Sequence, residues 1–268
     1  MKRKKLIAVL IIMVLIVAFL VQQDNTLVCT EYTIKNEKID ENTEGYKVVQ
    51  LSDLHNKLFL GGNGKVINMV QKEEPDVIVI TGDITGRDNV RKNSLKLMEQ
   101  LSAIAPVYYI TGNHEYYAAY EERKNIMEDI RKAGVSVLVD ETVKLKENLY
   151  LIGLDQRSLT DPTLEHLVAD LPKEAYKITL AHEPQHFINY SASGTDLVLC
   201  GHAHGGQIRF PGTEGLFAPG QGILPKYTSG EHIFGGMTMI INRGIGNTTC
   251  PIRIFNYPEI VTITLKGK

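Results

Sequence analysis

A chain of 268 residues with 43% hydrophobic and 22% charged side chains has the make-up of an ordinary folded enzyme, large enough for one large domain or two small ones. Its formal net charge of -2 excludes a general attraction to nucleic acid or to an anionic membrane, so a phosphate-bearing partner must be held by local charge or by metal. No CxxC or nucleophilic Cys motif is present, and three cysteines, Cys29, Cys200 and Cys250, do not make a disulfide framework.

The first segment stands apart. Met1-Lys2-Arg3-Lys4-Lys5 is basic, and Leu6 to Val21 is an unbroken apolar run of sixteen residues, near the lower limit for a membrane-spanning helix. A cleavable signal peptide is the alternative, but Ala18-Phe19-Leu20 puts a bulky residue where a small one is needed. Lipoprotein processing at Cys29 is disfavoured because Leu27 and Val28 are not small, and a buried helix is disfavoured by the lack of a polar face. The expectation is an uncleaved signal anchor over 1–22 and one domain over 23–268. Basic residues before the span keep the N-terminus inside and place Gln22 onward outside.

Gln22 to Glu44 holds a short tether and a first edge strand, Val28 to Ile34. A strand is expected over Lys47–Leu51, a helix over Lys65–Lys72 and a strand over Asp76–Ile80, whose continuous apolar run implies burial on both faces. A helix over Ser94–Leu101 and a strand over Val107–Ile110 complete a βαβαβ pattern. Glu121–Lys132 reads as a charged helix closed by Ala133-Gly134. Short strands follow at Val135–Val139, Thr142–Leu145, Leu149–Leu154, Lys177–Leu180 and Asp196–Cys200, with Cys200 a small core residue. A last set, Met237–Ile241, Ile252–Phe255 and Glu259–Leu265, shows the β-branched alternation of half-exposed strands. Two packed sheets with helices outside fit this order.

Polar, metal-competent residues gather where the apolar runs stop. Asp53 and His55 follow the first strand of the pattern; taken alone, Asp-x-His is weak, since a turn-capping Asp beside an ordinary His is the commoner arrangement. Gly82-Asp83 leaves the next strand, where Gly permits a tight exit and the carboxylate can bridge two cations or simply cap the following element. Gly112-Asn113-His114-Glu115 is more specific: an amide oxygen can ligate metal while the adjacent His stays free to hold substrate or donate a proton. His182 follows another strand, and His202 and His204 alternate after Cys200-Gly201. A lone His there is usually a hydrogen-bonded residue at the edge of the core. Five of the eight histidines lie in these segments, and five such segments together suit two divalent cations and hydrolysis of a phosphate ester.

In order and spacing, Asp53-x-His55, Gly82-Asp83, Gly112-Asn113-His114-Glu115, His182 and Gly201-His202-Ala203-His204 resemble the motif series of the calcineurin-like metallophosphoesterases. Leu51-Ser52-Asp53-Leu54-His55, His182-Glu183-Pro184, Gly205-Gly206-Gln207-Ile208 and Arg243-Gly244-Ile245-Gly246 resemble the membrane-associated branch, which includes bacterial cell-envelope phosphoesterases and relatives of UDP-diacylglucosamine pyrophosphohydrolase. The resemblance implies an α/β fold, a four-layer αββα sandwich, here with an N-terminal anchoring helix. It implies one metal on Asp53, His55 and His204, another on Asn113, His182 and His202, Asp83 between them, and His114 as catalytic acid or phosphate contact. In such sites a metal-activated hydroxide attacks phosphorus in line. Manganese, iron and zinc suit these donors. Two departures stand out: Ala203 replaces a common Thr, and Ile84-Thr85-Gly86-Arg87 stands where acidic residues are common. Arg87 meets a substrate phosphate or is a solvated loop residue; Arg243 contacts phosphate or forms a structural salt bridge.

The expected activity is therefore a phosphodiesterase or pyrophosphohydrolase at the extracytoplasmic membrane face, acting on a lipid, nucleotide-sugar or wall-polymer phosphate. A phosphomonoesterase is the nearest alternative. A metal-stabilised binding protein without turnover is the other, and His114 argues against it because metal ligation alone does not need that residue. Nucleic acid is not an expected specific partner.

Overall fold

The computed structural model describes residues 2–210, 212–247 and 252–268; Met1 and Cys250, both named above, lie outside them. The helices are α1 (Lys2–Asn25), α2 (Gly64–Glu73), α3 (Lys92–Ser102), α4 (Asn113–Tyr117), α5 (Tyr120–Lys132), α6 (Thr163–Ala169) and α7 (Phe187–Ala192). The strands are β1 (Val28–Asn36), β2 (Lys47–Leu51), β3 (Val77–Thr81), β4 (Val107–Ile110), β5 (Ser136–Val137), β6 (Glu141–Lys146), β7 (Leu149–Gly153), β8 (Tyr176–Leu180), β9 (Leu197–Cys200), β10 (Phe217–Ala218), β11 (Gly222–Ile223), β12 (Gly230–Phe234), β13 (Met237–Ile241) and β14 (Glu259–Gly267).

One sheet runs β1-β14-β2-β3-β4-β5 and the other β12-β13-β9-β8-β7-β6, while β10 and β11 form a small ribbon. Strands β2 to β5 are parallel in the first sheet and β7, β8, β9 and β13 in the second. Side chains alternate across each strand, and this splits the apolar residues into three cores. Val49, Leu51, Ile78 and Ile80 pack outward against Val66 and Val70 of α2, Met98 and Leu101 of α3, and Ile126 and Ile130 of α5. Their neighbours Val48, Val77 and Val79 face the other way and meet Leu149, Leu151, Ile178, Leu180, Leu197 and Leu199 of the second sheet. Ile152, Val198 and Cys200 turn outward from that sheet against Leu164 and Val168 of α6 and Tyr190 of α7. The result is the expected αββα sandwich, with the central strands of both sheets buried on both faces.

Several boundaries differ from the sequence reading. Helix α1 continues through Asn25, and its apolar side chains from Leu6 to Val17 are exposed. Among the described residues Ile252–Phe255 forms no strand: a bridge joins Ile254 to Ile208, and Arg253 turns inward, where it is fully buried. Its guanidinium donates to the carbonyls of Gly246 (2.6 Å) and Arg243 (3.0 Å), so the segment is held by a side chain where a ladder was expected. Val135–Val139 shortens to β5. Helices α4, α6 and α7 and strands β10, β11 and β12 were not foreseen. Cys200 is buried and Cys29 half-buried, both as free thiols.

Candidate metal centre

The parallel strands β2, β3 and β4 of one sheet and β8 and β9 of the other end at the same side of the sandwich, and the predicted site residues follow those ends. Leaving a buried strand and turning at once forces unusual backbone. Asp53, His55, Asp83, His202 and His204 all have φ between 44° and 66°, the left-handed region that costs a non-glycine residue about 1 to 2 kcal/mol. Such strain persists only where surrounding contacts fix it.

Those contacts are present. The Glu115 carboxylate, at the start of α4 and fully buried, accepts the backbone N–H of Gly112 (2.8 Å), Asp83 (3.0 Å), Ile84 (3.0 Å) and Thr85 (3.3 Å), tying the loop after β3 to the loop after β4. Asp53 Oδ2 accepts the N–H of His202 (3.0 Å), which joins the two sheets across the site. Asp83 Oδ1 accepts the N–H of His114 (2.9 Å). Gly82 has φ 89°, and a Cβ there would approach His182 Nδ1 to 2.5 Å, so this position needs glycine for both conformation and space.

The side chains converge in two groups: Asp53, His55 and His204, and Asp83, His182 and His202. His204 Nε2 is 3.2 Å from Asp53 Oδ1 and 3.2 Å from His55 Nε2. His182 Nε2 is 3.3 Å from Asp83 Oδ2, 3.1 Å from Asn113 Oδ1 and 3.2 Å from His202 Nδ1. Asp83 Oδ2 also lies 3.7 Å from His55 Nε2, so this one carboxylate faces both groups. His114 sits at the mouth: its Nε2 is 4.0 Å from Asp83 Oδ2, its ring meets the His55 ring edge-on at 4.5 Å, and its side chain is 29% exposed; Asn113 is half-buried, while the two carboxylates and the other four imidazoles are nearly or wholly buried. By distance alone His114 also forms a group with His55 and Asp83.

Divalent cations fit this donor set. His55 Nδ1 lies 3.0 Å from the Thr85 carbonyl and His182 Nδ1 2.7 Å from the Thr81 carbonyl, so each Nδ1–H has an acceptor and each Nε2 is directed inward, the usual support for a ligating imidazole. Among the described residues His204 Nδ1 is buried without a hydrogen-bond partner. Close approach of ring nitrogens to one another, and of two buried carboxylates to them, is what a cation between them stabilises. The charges show the same need. Burial alone would push the Asp53 and Asp83 carboxyls up, but neighbouring imidazoles, His204 for Asp53 and His182 for Asp83, hold both well below the usual range. Burial pushes His55 and His202 down to about 4, whereas for His182 the Asp83 carboxylate overcomes burial and raises it to about 10.

Outside this centre, Arg243 forms an ion pair with Glu259 at 2.8 Å, the salt-bridge alternative, and Arg87 is an exposed loop residue. The sequence reading assigned no role to Glu115, although its place three residues after Gly112 is the signature of a capping acid. Nor did it find Asn256, whose amide donates to the carbonyls of His204 (2.7 Å) and Gln207 (3.1 Å), or Asn242, which donates to Gln50 O (3.0 Å) and accepts from Gly244 N–H (2.7 Å).

Comparison with known proteins agrees with the geometry. Over 251 residues the chain is 32% identical to the metallophosphoesterase YkuE of Bacillus subtilis, covering 89% of this chain and 85% of that one. It is 28% identical over 236 residues to the phosphodiesterase YaeI of Escherichia coli, covering 84% of each. It is 30% identical over 283 residues to a transmembrane protein with metallophosphoesterase domain from Danio rerio, covering 98% of this chain and 63% of that one. Residues 46–206, from the first parallel strand to the end of the last histidine loop, match the calcineurin-like phosphoesterase family. Sandwich, strand-end carboxylates and convergent imidazoles thus meet in a chain that belongs to the calcineurin-like phosphoesterases and is a metal-dependent phosphoester hydrolase.

Proposed function

We propose that the protein is a two-metal phosphodiesterase or pyrophosphohydrolase anchored in a membrane by residues 1–22, with residues 23–268 as its catalytic domain on the extracytoplasmic side. Asp53, His55 and His204 would hold one cation and Asn113, His182 and His202 the other, with Asp83 shared between them. The observation that carries this reading is the division of the buried donors into two groups with the Asp83 carboxylate facing both. Manganese, iron or zinc suits such oxygen and imidazole donors. Two cations held together supply a water of lowered pKa and neutralise charge on phosphoryl oxygens.

The chain's own residues do the rest. Asp83 and Asp53 keep the centre anionic before cations enter, and the inward Nε2 atoms of His55 and His182 fix where a phosphoryl group can sit. His114, exposed at the mouth and tethered through its N–H to Asp83, holds a proton on its ring toward the leaving oxygen of the bound ester. Phosphate on a lipid, a nucleotide-sugar or a wall polymer is the substrate class favoured by the anchor, and similarity to the phosphodiesterase YaeI supports the diester.

His114→Ala in the full-length chain tests the assignment. Bound metal is expected to be retained while hydrolysis of an aryl phosphodiester falls by about 10² to 10⁴-fold. Unchanged turnover overturns the role of His114, loss of metal makes it a ligand, and activity confined to monoesters in the parent protein favours a phosphomonoesterase.

A further inference from the structure

The last turns of α1 are fastened to the catalytic body. Gln23 donates to the Tyr257 hydroxyl (3.1 Å) and its Oε1 accepts the N–H of Phe255 (2.7 Å). Asp24 pairs with Lys57 and accepts from Asn247 Nδ2 (2.5 Å), Asn25 Oδ1 accepts the N–H of Leu60 (2.9 Å), and the Phe19 ring meets Phe255 edge-on at 5.8 Å. The level at which the apolar helix ends is therefore fixed against one face of the domain.

That face carries uncovered apolar side chains. Leu58 and Leu60 follow the Asp53-x-His55 loop, Phe255 stands beside Phe19, and Phe210, Ile223 and Leu224 project from the segment 207–227. Leu60 is 63% exposed, Ile223 76% and Leu224 77%. Backbone bonds join these loops into one surface: Arg209 N–H to Ile254 O (2.9 Å), Leu216 N–H to Ile208 O (2.8 Å) and Leu224 N–H to Leu216 O (2.9 Å). The same surface borders the metal centre, since Asn256 next to Phe255 holds the carbonyl of His204, and Lys57 N–H bonds Leu54 O. Exposed apolar side chains on adjoining loops of a folded domain mark an interaction surface, and those beside the end of the apolar helix, Leu60 and Phe255, suit the acyl boundary of a bilayer.

We propose that this rim is a second membrane-contact surface: Leu58, Leu60, Phe210, Ile223, Leu224 and Phe255 insert into the lipid interface beside α1 and hold the mouth of the metal centre at headgroup level. The inference rests on the membrane-anchored reading and goes beyond it, because anchoring by α1 does not by itself require any side chain of the domain to enter the lipid.

The chain contains no tryptophan, so each substitution adds a sole indole reporter. Leu60→Trp and Leu224→Trp are placed in the full-length protein in phosphatidylcholine vesicles brominated near the headgroup end of the acyl chain. Val14→Trp, midway along the apolar run, reports the anchor in vesicles brominated near the methyl end of the acyl chain. Ile233→Trp is the control, 71% exposed on β12 opposite Thr238, which pairs with the start of β9 at the end away from the metal centre. Quenching by at least about two-fold at Leu60, Leu224 and Val14 and none at Ile233 is expected. Val14 quenched with Leu60 and Leu224 unquenched overturns this surface while the anchor stands, and Val14 unquenched overturns the anchor itself. Blue-shifted but unquenched emission at Leu224 means that protein, such as a second copy of the chain, covers the rim, and also overturns the proposal.

Discussion

Glu115 shows how one residue can matter more to a metal centre than its distance from it implies. Its carboxylate touches no other site side chain within the donor groups, yet it accepts four backbone N–H groups from two loops and the Thr85 hydroxyl (3.3 Å). Burial, reinforced by the nearby Asp83 carboxylate, pushes its pKa up, and the backbone donors, the Gly112 N–H foremost, oppose that shift. Glu115→Ala leaves them buried and unpaired and is expected to cost about 4 kcal/mol in a urea titration, with bound metal reduced; Glu115→Gln, which keeps one acceptor oxygen, is expected to lose less. Equal stability of the three proteins would show that the loops do not depend on this carboxylate. At this scale the sequence made the donor-bearing residues legible because Asp, Asn and His next to glycine at strand ends have a narrow chemistry. Arg253, Asn242 and Asn256 were not legible, since an interior arginine or amide looks like a surface one until the backbone carbonyls it meets are known.

The elements were legible where periodicity was strong. Strands β2, β3 and β4 and helices α2, α3 and α5 fall within a residue or two of their expected positions, because buried parallel strands and amphipathic helices leave different apolar spacing. Short α4, α6 and α7 carry too few residues to show a helical period, and the expected strand at Ile252–Phe255 had the right residue types but, among the described residues, pairs through the Ile208–Ile254 bridge and forms no ladder. The turn between β4 and α4 gives the test at this scale. Gly112 has an ordinary φ of -110°, so its need is for space: an added Cβ would overlap the Asp83 carboxylate and lie 2.7 Å from Asp83 N. Gly112→Ala is expected to cost about 1 to 3 kcal/mol by thermal denaturation and to lower metal content while circular dichroism keeps its α/β signature. A fully loaded variant would mean that the loop relaxes around the methyl group.

At the scale of the whole molecule the chain joins an exposed apolar helix to a compact hydrolase. Helix α1 is long and apolar enough to cross a membrane and its side chains from Leu6 to Val17 are exposed, so they favour a solvent other than water. The full-length protein is expected to stay with the membrane fraction through an alkaline carbonate wash and to leave it only in detergent; release by the wash would place α1 elsewhere. By itself the sequence determined the chemistry: five segments of metal donors, each at the end of an apolar run, and an apolar helix ahead of them, all features set by residues within a few positions of one another. Only the tertiary structure decided which donors meet. Asp53 reaches the His202 N–H and the His204 ring about 150 residues away, β1 pairs with β14 at the far end of the chain, and Gln23 locks the helix to Phe255 and Tyr257. Those partners are chosen by which apolar faces pack and which buried polar groups find each other across the two sheets, and local sequence carries no record of either choice.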